Sequence, residues 1–187
     1  TEPMLAKIAD AIPTEPGFLF EPKWDGFRAI VFRTGAEALL QSRDLKPLNR
    51  YFPELEQALV AILPEGCVLD GEIVVASPDG LDFDALQQRI HPAASRVAKL
   101  AKETPARFVA FDLLGVDGTS TMSLPQSERR ARLEQLVGGS KPPLHLTPVT
   151  RDRAEAGRWL AQFEGAGLDG VVAKLESAPY LPGKLAM

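Results

Sequence analysis

The segment from residue 21 to residue 28, Glu-Pro-Lys-Trp-Asp-Gly-Phe-Arg, concentrates side chains that could do chemistry. Lys23 is a potential nucleophile, because a lysine amine attacks electrophiles once it has lost its proton. Gly26 would let the backbone approach a ligand closely or adopt a positive φ. Taken alone, the segment is more simply a charged β-turn with Lys23 in solvent, since most lysines are solvated. Other segments are needed to choose between the two interpretations.

Two later segments place charged residues inside apolar strand sequences. Residues 69–72, Leu-Asp-Gly-Glu, carry Asp70 and Glu72, and an unpaired carboxylate is costly to bury. Residues 168–174 carry a second lysine, Lys174, at the end of the run Val-Val-Ala. Each segment also has a plainer explanation, in which the acids lie in water at a strand edge and the lysine ends a strand at the surface.

Two further candidates are aromatic or basic. Residues 108–112, Phe-Val-Ala-Phe-Asp, put Phe108 and Phe111 on opposite faces of one strand, because side chains alternate along a strand. Core packing is the simpler role for each ring, although one ring could present its face to a base. Arg43, which follows Ser42, is the least specific candidate, since a single exposed arginine usually contributes only to solubility.

The elements that must position these residues alternate along the chain without internal repeats. We expect strands at 17–20, 27–33, 37–42, 67–76, 108–114 and 171–175, with the first three forming an antiparallel meander. We expect helices at 51–63 and over 82–102, the second with a break at Pro92. A third helix is expected to begin at the capping-box pattern of Ser123 and Gln126 and to end near Val137. The last expected helix has an apolar face formed by Ala156, Trp159, Leu160 and Phe163. Hairpins come first and isolated helices separate the later strands. This order predicts an α+β fold of antiparallel sheets flanked by helices.

Composition limits the class of protein. The 187 residues are enough for one domain, and the hydrophobic fraction of 45% with a charged fraction of 25% is typical of globular chains. No apolar run approaches the roughly 20 residues that a bilayer requires, so we expect no membrane contact and a cytoplasmic monomer. The net charge of -4 excludes nucleic-acid binding through bulk positive charge, although not through a local patch. The single Cys67 cannot form an internal disulfide, which favours a reducing compartment.

Together, the four segments resemble the ordered motifs of the covalent nucleotidyltransferases, the superfamily of ATP-dependent DNA ligases, RNA ligases and mRNA capping enzymes. Residues 23–26 match the nucleophile motif K-x-D-G, and Arg28 matches the arginine that often follows it. Residues 69–72, 111–114 and 169–174 are similar to the third motif, the adenine-stacking strand and the fourth motif.

Finer features resemble bacterial ATP-dependent DNA ligases. Residues 41–43 and 51–55 are similar to the S-R and F-P-E-L segments of these enzymes, and residues 89–96 and 180–184 are similar to the small C-type ligases of end joining and break repair. Asp169 departs from the family by standing where a glutamate is usual, and it keeps an oxygen ligand with a shorter reach. The resemblance implies that residues 1–187 form an adenylation domain that stops before the fifth motif, K-x-K, and before an oligonucleotide-binding-fold domain.

The resemblance also implies roles around the base of ATP. Lys23 would attack the α-phosphorus, release pyrophosphate and hold AMP as a covalent intermediate. Glu21 would face the adenine edge, Phe111 would stack on one face of adenine, and Val172 would cover the other face. Trp24 would be a further nucleotide contact.

The remaining implied roles concern phosphate and metal. Arg28 and Glu72 would contact the ribose or a phosphate. Lys174 and Arg43 would neutralise the α-phosphate, and Arg43 would also reach the 5′-phosphate of a nick. Glu72 and Asp169 would be the carboxylates on the side of Mg²⁺, a cation that prefers oxygen ligands.

The implied substrate of the whole enzyme is nicked double-stranded DNA. AMP would pass from the lysine to a 5′-phosphate, and a 3′-hydroxyl would then displace it and seal the strand, with repair or end-joining polymerases as partners. An RNA ligase or a capping-type guanylyltransferase would use the same nucleophile. A noncatalytic nucleotide-binding module with this fold is the alternative from another class.

Overall fold

The computed structural model describes residues 1–163 and 168–185. Within them the strands are β1 Phe18–Trp24, β2 Phe27–Thr34, β3 Glu37–Ser42, β4 Val68–Ser77, β5 Gly80–Leu81, β6 Ala106–Val116, β7 Thr119–Ser120, β8 Leu144–Leu146 and β9 Leu168–Leu175. The helices are α1 Pro53–Ile62, α2 Phe83–Gln88, α3 Ala94–Glu103, α4 Gln126–Val137 and α5 Arg153–Phe163, with a 3₁₀ helix at Asn49–Tyr51. The mixture of helices and mainly antiparallel strands confirms the predicted α+β class.

The main sheet has the strand order β3-β2-β4-β6-β7, with β5 paired to β4 and β8 paired parallel to β6. The other pairings in this sheet are antiparallel. One face of the sheet packs against α1 and carries the larger apolar core, where Leu40, Leu59, Ile73 and Phe108 are fully buried. The opposite face is therefore free to hold polar groups.

The first strand does not join this sheet, which corrects the expected meander. β1 pairs antiparallel with β9 in a separate two-stranded sheet, and only β2 and β3 form the predicted hairpin. The strand also runs past the predicted end, so that Lys23 lies within β1 rather than in a turn. The long-range partner β9 accounts for both differences, because local sequence patterns cannot reveal a pairing with a strand about 150 residues away.

Three helix predictions had different outcomes. The break at Pro92 is confirmed, because α2 ends at Gln88 and α3 begins at Ala94. The capping box at 123–126 is wrong, since α4 begins only at Gln126 and its N-cap makes no side-chain hydrogen bond. Backbone carbonyls replace the cap: the amides of Gln126 and Ser127 donate to Ala178 and Glu176. In the last helix Ala156 is buried and Leu160 is 40% exposed, while the side chain of Phe163 lies outside the described part of the structure.

A β-bulge in β6 changes which face its side chains occupy. Asp70 pairs with Asp112 and Gly71 pairs with Ala110, which leaves Phe111 as the extra residue between them. Ala106, Phe108 and Ala110 point into the larger core before the bulge, and Leu113 points into it afterwards. Alternation already places Phe111 on the opposite face, toward β1 and β9, and the bulge adds Asp112 to that face while turning Leu113 into the core.

Candidate active site

Lys23 lies at the open end of the small sheet. Its Nζ is 3.8 Å from Oδ2 of Asp169, and about half of each side chain is exposed. Its cross-strand partner is Gly170, which has no side chain to cover it. The register shifts between Lys23 and Trp24, so that Asp169 is the extra residue on β9. An amine in this position is accessible to a ligand from solvent.

Carboxylates surround Lys23. Burial raises the pKa of Glu72 to about 8, with the positive charge of Arg28 and of Lys23 opposing the shift. The pKa of Asp25 is also raised, first by burial and then by the negative charge of Asp169. Lys23 lowers the pKa of both Glu72 and Asp25, so the two carboxylates lie within electrostatic range of the amine.

Gly26 explains how the turn after Lys23 lies so close to β4. A Cβ atom at this position would overlap the carbonyl oxygen of Ile73 and crowd the side chains of Val74 and Glu72. Only glycine allows this approach, which holds the turn after Lys23 against the strand that carries Glu72. Gly26 was predicted to let the backbone approach a ligand closely, and in the structure it lets the backbone approach strand β4 closely.

A buried ion pair lies deeper in the site. Nζ of Lys174 is 2.7 Å from Oε1 of Glu21, and both side chains are only 4% exposed. The second carboxylate oxygen, Oε2 of Glu21, is buried and has no hydrogen-bond partner among the described residues. Burial raises the pKa of Glu21, while Lys174 opposes the shift. This leaves an acceptor without a donor in the interior of the site.

Phe111 forms the floor beside this pair. Lys174 Nζ donates to the Phe111 carbonyl oxygen at 3.3 Å and lies 4.6 Å from the centre of its ring. The guanidinium carbon of Arg28 lies 4.9 Å from the same centre. Phe108 is fully buried in the larger core, whereas Phe111 is half-buried. The sequence prediction that one of the two rings is free to face a ligand agrees with this difference.

Arg28 and Lys174, for which the resemblance implies ribose or phosphate contacts, both pair with carboxylates in this structure. Arg28 donates two hydrogen bonds of 2.7 Å to Asp70, and its Nη2 also donates to the carbonyl of Met4 at 2.8 Å. Lys174 is committed to Glu21. Both cations are used to neutralise buried carboxylates, so they hold the floor in place and are not free at the mouth of the site.

Sequence reasoning missed the network that links these pairs. Asp70 faces Asp112 across β4 and β6, and Arg129 of α4 donates to both Asp112 oxygens at 2.8 and 3.2 Å. Tyr180 connects the two pairs, because its hydroxyl donates to Asp70 at 2.6 Å and its ring lies 5.8 Å from the Arg129 guanidinium. Burial, together with Asp70, raises the pKa of Tyr180 well above its ordinary value. Two aspartates within apolar strands were the available signal, since each needs a buried cation.

Three other predicted residues have different positions. Trp24, the residue after Lys23 on β1, donates its Nε1 hydrogen to Oγ1 of Thr147 at 2.9 Å. Val172 pairs with Glu21 on the small sheet and is half-buried beside the site. Arg43 is exposed one residue after β3. The structure thus brings most of the predicted residues together but leaves Trp24 and Arg43 at the margin.

No group of three or more His, Cys, Asp or Glu side chains converges as a metal site among residues 1–163 and 168–185. Glu72 is nevertheless close enough to Lys23 for the lysine to lower its pKa, and Asp169 is close enough to Asp25 to raise the pKa of that carboxyl. Magnesium commonly binds through one or two carboxylates and keeps several waters, which is compatible with this donor set. Within the same residues, no helix has the length and apolar character that crossing a membrane requires.

The two facing sheets and the lysine between them have the form expected of a covalent nucleotidyltransferase. A family model described as an ATP dependent DNA ligase domain matches residues 3–187. The chain belongs to this ATP-dependent DNA ligase domain family, which confirms the resemblance drawn from its motifs.

Named relatives support the same assignment. The chain is 55% identical over 185 residues to DNA ligase C2 of Mycolicibacterium smegmatis and 54% identical over 189 residues to DNA ligase C of Mycobacterium tuberculosis. Each match covers 99% of this chain and 52% of the relative. The chain therefore spans about half the length of these curated relatives. Both are C ligases, in agreement with the C-type features of the sequence.

Solved structures of related proteins have the same fold. The ligase domain of M. tuberculosis LigD superimposes with a TM-score of 0.78 at 30% identity, covering 98% of this chain and 57% of that one. A mycobacterial DNA ligase D complexed with ATP and MES gives a TM-score of 0.75 at 30% identity, covering 98% of this chain and 56% of that one. These likenesses confirm the predicted adenylation-domain fold.

Proposed function

We propose that Lys23 accepts AMP from ATP, and that the chain is the nucleotide-loading part, residues 1–187, of a DNA ligase that continues into a fifth motif and an oligonucleotide-binding-fold domain. The observation that carries the proposal is the contrast between the two lysines. Lys174 is buried and paired with Glu21, whereas the Lys23 side chain is half-exposed and its amine lies 3.8 Å from Asp169. Lys23 alone of the two is placed to react with a phosphate that enters from solvent.

The floor of the site suits adenine. The unpartnered Oε2 of Glu21 is a buried acceptor, and the exocyclic amine of adenine is a donor that would satisfy it. Guanine carries a carbonyl at the corresponding position, which would face the carboxylate lone pairs and be repelled. Phe111 offers a ring for stacking, and Val172 is the apolar residue of β9 nearest to Glu21 in register.

The proposed reaction is a transfer of one nucleotidyl group. The neutral amine of Lys23 attacks the α-phosphorus, a phosphorus–nitrogen bond forms, and the bond to pyrophosphate breaks, with the lysine proton lost to solvent. Mg²⁺ would be held on the side of Glu72 and Asp169 and would supply positive charge to the phosphates. Arg28 keeps Phe111 in position through its place between Asp70 and the ring. Catalysis then depends mainly on positioning and on charge neutralisation.

The named relatives support a proposal for the activity of the whole protein. The named relatives are DNA ligases, so we infer that the AMP passes to the 5′-phosphate of nicked duplex DNA and that a 3′-hydroxyl then seals the strand in DNA repair. Arg43, exposed at the edge of the site, would meet the 5′-phosphate. Repair or end-joining polymerases are the proposed partners, and a bacterial DNA substrate would place the enzyme in the cytoplasm.

The intact mass of the protein before and after incubation with ATP and Mg²⁺ tests the proposal. We expect a gain of one adenylate, mapped by peptide mass to Lys23, absent in Lys23→Ala and retained in the control Lys141→Ala. GTP in place of ATP should give no adduct, whereas a guanylate adduct would favour a capping-type enzyme. A chain extended through the fifth motif that stays unmodified, or an adenylate on another residue, would refute the proposal.

A further inference from the structure

Positive charge is concentrated on one outer surface of the protein, although the whole chain carries a net charge of -4. This surface, named here the α3 basic surface, combines one face of α3 with the 3₁₀ helix and the loop before it. Its exposed cations are Arg43, Lys46, Arg50, Arg96, Lys99 and Lys102. The acids among them are Asp44 and Glu103. A local excess of this kind in an acidic chain points to a polyanionic partner.

The helix presents its three cations in a row. Val97 and Leu100 are buried toward the protein, while Arg96, Lys99 and Lys102 follow one another at three-residue intervals and are exposed. A rise of about 1.5 Å per residue spreads the three over roughly 9 Å. One strand of B-DNA presents two to three phosphates over about that axial distance, at roughly 3.4 Å per phosphate.

The helix is held firmly from below. Arg89, which is fully buried, donates to the carbonyl of Thr104 at the end of α3 and to the carbonyl of Tyr51 in the 3₁₀ helix, both at 2.8 Å. Arg50 donates to the carbonyl of Pro92 at 3.0 Å, just before α3 begins. These contacts fix the two elements of the surface relative to each other, so that its charges need little ordering when a ligand binds.

The surface begins at the candidate active site. Ser42, the last residue of β3, lies in register with Ala29 of β2, and Ala29 lies in register with Gly71 of β4. Arg43 is therefore one step beyond this row, level with Arg28 and Glu72. A ligand that follows the surface from α3 across the 3₁₀ helix to Arg43 arrives at the sheet edge next to the site.

We propose that the α3 basic surface binds the phosphate backbone of duplex DNA and guides a strand toward Lys23. The inference rests on the proposed function, because it assumes that DNA is the partner. Long, exposed side chains without a pocket suit a repeating polyanion better than a small anion. The ion pair of Lys99 with Glu103 on the helix, at 3.8 Å, is largely exposed, so a phosphate can replace it at little cost.

The test is the salt dependence of DNA binding, measured by fluorescence anisotropy with a labelled duplex that is either intact or nicked. The variant combines Arg96→Gln, Lys99→Gln and Lys102→Gln. Each lost phosphate contact should lower the slope of log K against log salt by about 1, so we expect a reduction of about 3 with weaker binding of both duplexes. Thermal unfolding of the variant checks that it is folded, and Lys99→Gln alone should still lower the slope by about 1.

A matched control removes the same charge elsewhere, through Lys7→Gln, Arg132→Gln and Lys141→Gln, which are exposed positions outside the surface. The control should keep the slope of the unaltered protein. An equal loss in both variants, or no measurable DNA binding by the unaltered protein at low salt, would overturn the proposal. Binding is measured without nucleotide, and adenylation of Lys23 in the unaltered protein is followed separately. A failure of the proposed function would therefore appear in the adenylation assay and not in the salt slope.

Discussion

Replacing Tyr180 with phenylalanine tests the network beneath Phe111 more directly than any change at its surface. The Tyr180 hydroxyl donates to Asp70 at 2.6 Å and accepts from the amide of Met4 at 2.8 Å, and the side chain is 3% exposed. Tyr180→Phe removes a hydrogen bond to a charged group, worth about 1.5–3 kcal/mol, and leaves a buried amide unpaired at a cost of about 1–3 kcal/mol. Since the two losses overlap, we expect a total of about 2–4 kcal/mol.

The assay is urea and thermal unfolding of Tyr180→Phe against Tyr51→Phe, the other tyrosine of the chain. For a chain of this length the expected loss corresponds to a Tm lower by about 5–15 °C. Tyr51→Phe should change stability by no more than about 0.5 kcal/mol, because its ring stays beneath Arg50. A loss below about 1 kcal/mol for Tyr180→Phe, or full additivity with Asp70→Asn, would refute the reasoning, since coupled neighbours are not additive.

Three further changes have defined outcomes. Because the folded pKa of Glu72 is about 8 and its ordinary value is 4.5, protonated Glu72 stabilises the fold fully below pH 4.5 and progressively less as the pH rises to about 8. Urea unfolding of Glu72→Gln across this range should therefore show a smaller fall in the free energy of unfolding than the unaltered protein. An equal fall in both proteins would contradict the raised pKa. Gly26→Ala should cost about 1–3 kcal/mol and slow adenylation by pushing the turn off Ile73, whereas wild-type adenylation rates would contradict the close approach. Arg89→Met should lower the free energy of unfolding by about 3–5 kcal/mol by leaving Glu54 without its partner, and unfolding at the wild-type urea midpoint would show that the pair is dispensable.

Local sequence patterns predicted those elements whose partners are close in the chain. The hairpin of β2 and β3 and the helix break at Pro92 depend on turn and proline chemistry within a few residues. The pairing of β1 with β9 could not be predicted in this way, because strand register over such a separation is decided by which side chains fit together in three dimensions. The capping box failed for the same reason, since the start of α4 is satisfied by carbonyls from the segment after β9.

The site shows the same division. Motif resemblance located Lys23, Glu21 and Phe111, and the structure brings Glu21 and Phe111 together through Lys174. Resemblance did not reveal the pairing of Arg28 with Asp70, because a motif records that a cation is needed and not which carboxylate it neutralises. The face of Phe111 follows from alternation along β6, but the β-bulge that places Asp112 on the same face depends on the register of β4 and β6, which is set by packing on both faces of the sheet.

The ion pairs of the site fall into two groups, one buried and one half-exposed, which differ in how easily they separate. The pairs of Glu21 with Lys174, Arg28 with Asp70, and Arg129 with Asp112 lie in the interior. Breaking such a pair strands a buried charge, so these residues hold the floor of the site in one arrangement. Lys23 and Asp169 are half-exposed and weakly paired at 3.8 Å, and a weak surface pair costs little to separate. In the proposed reaction, the rigid pairs would keep the surface that receives the base in a fixed place, and the loose pair would let the Lys23 amine leave its carboxylate and react.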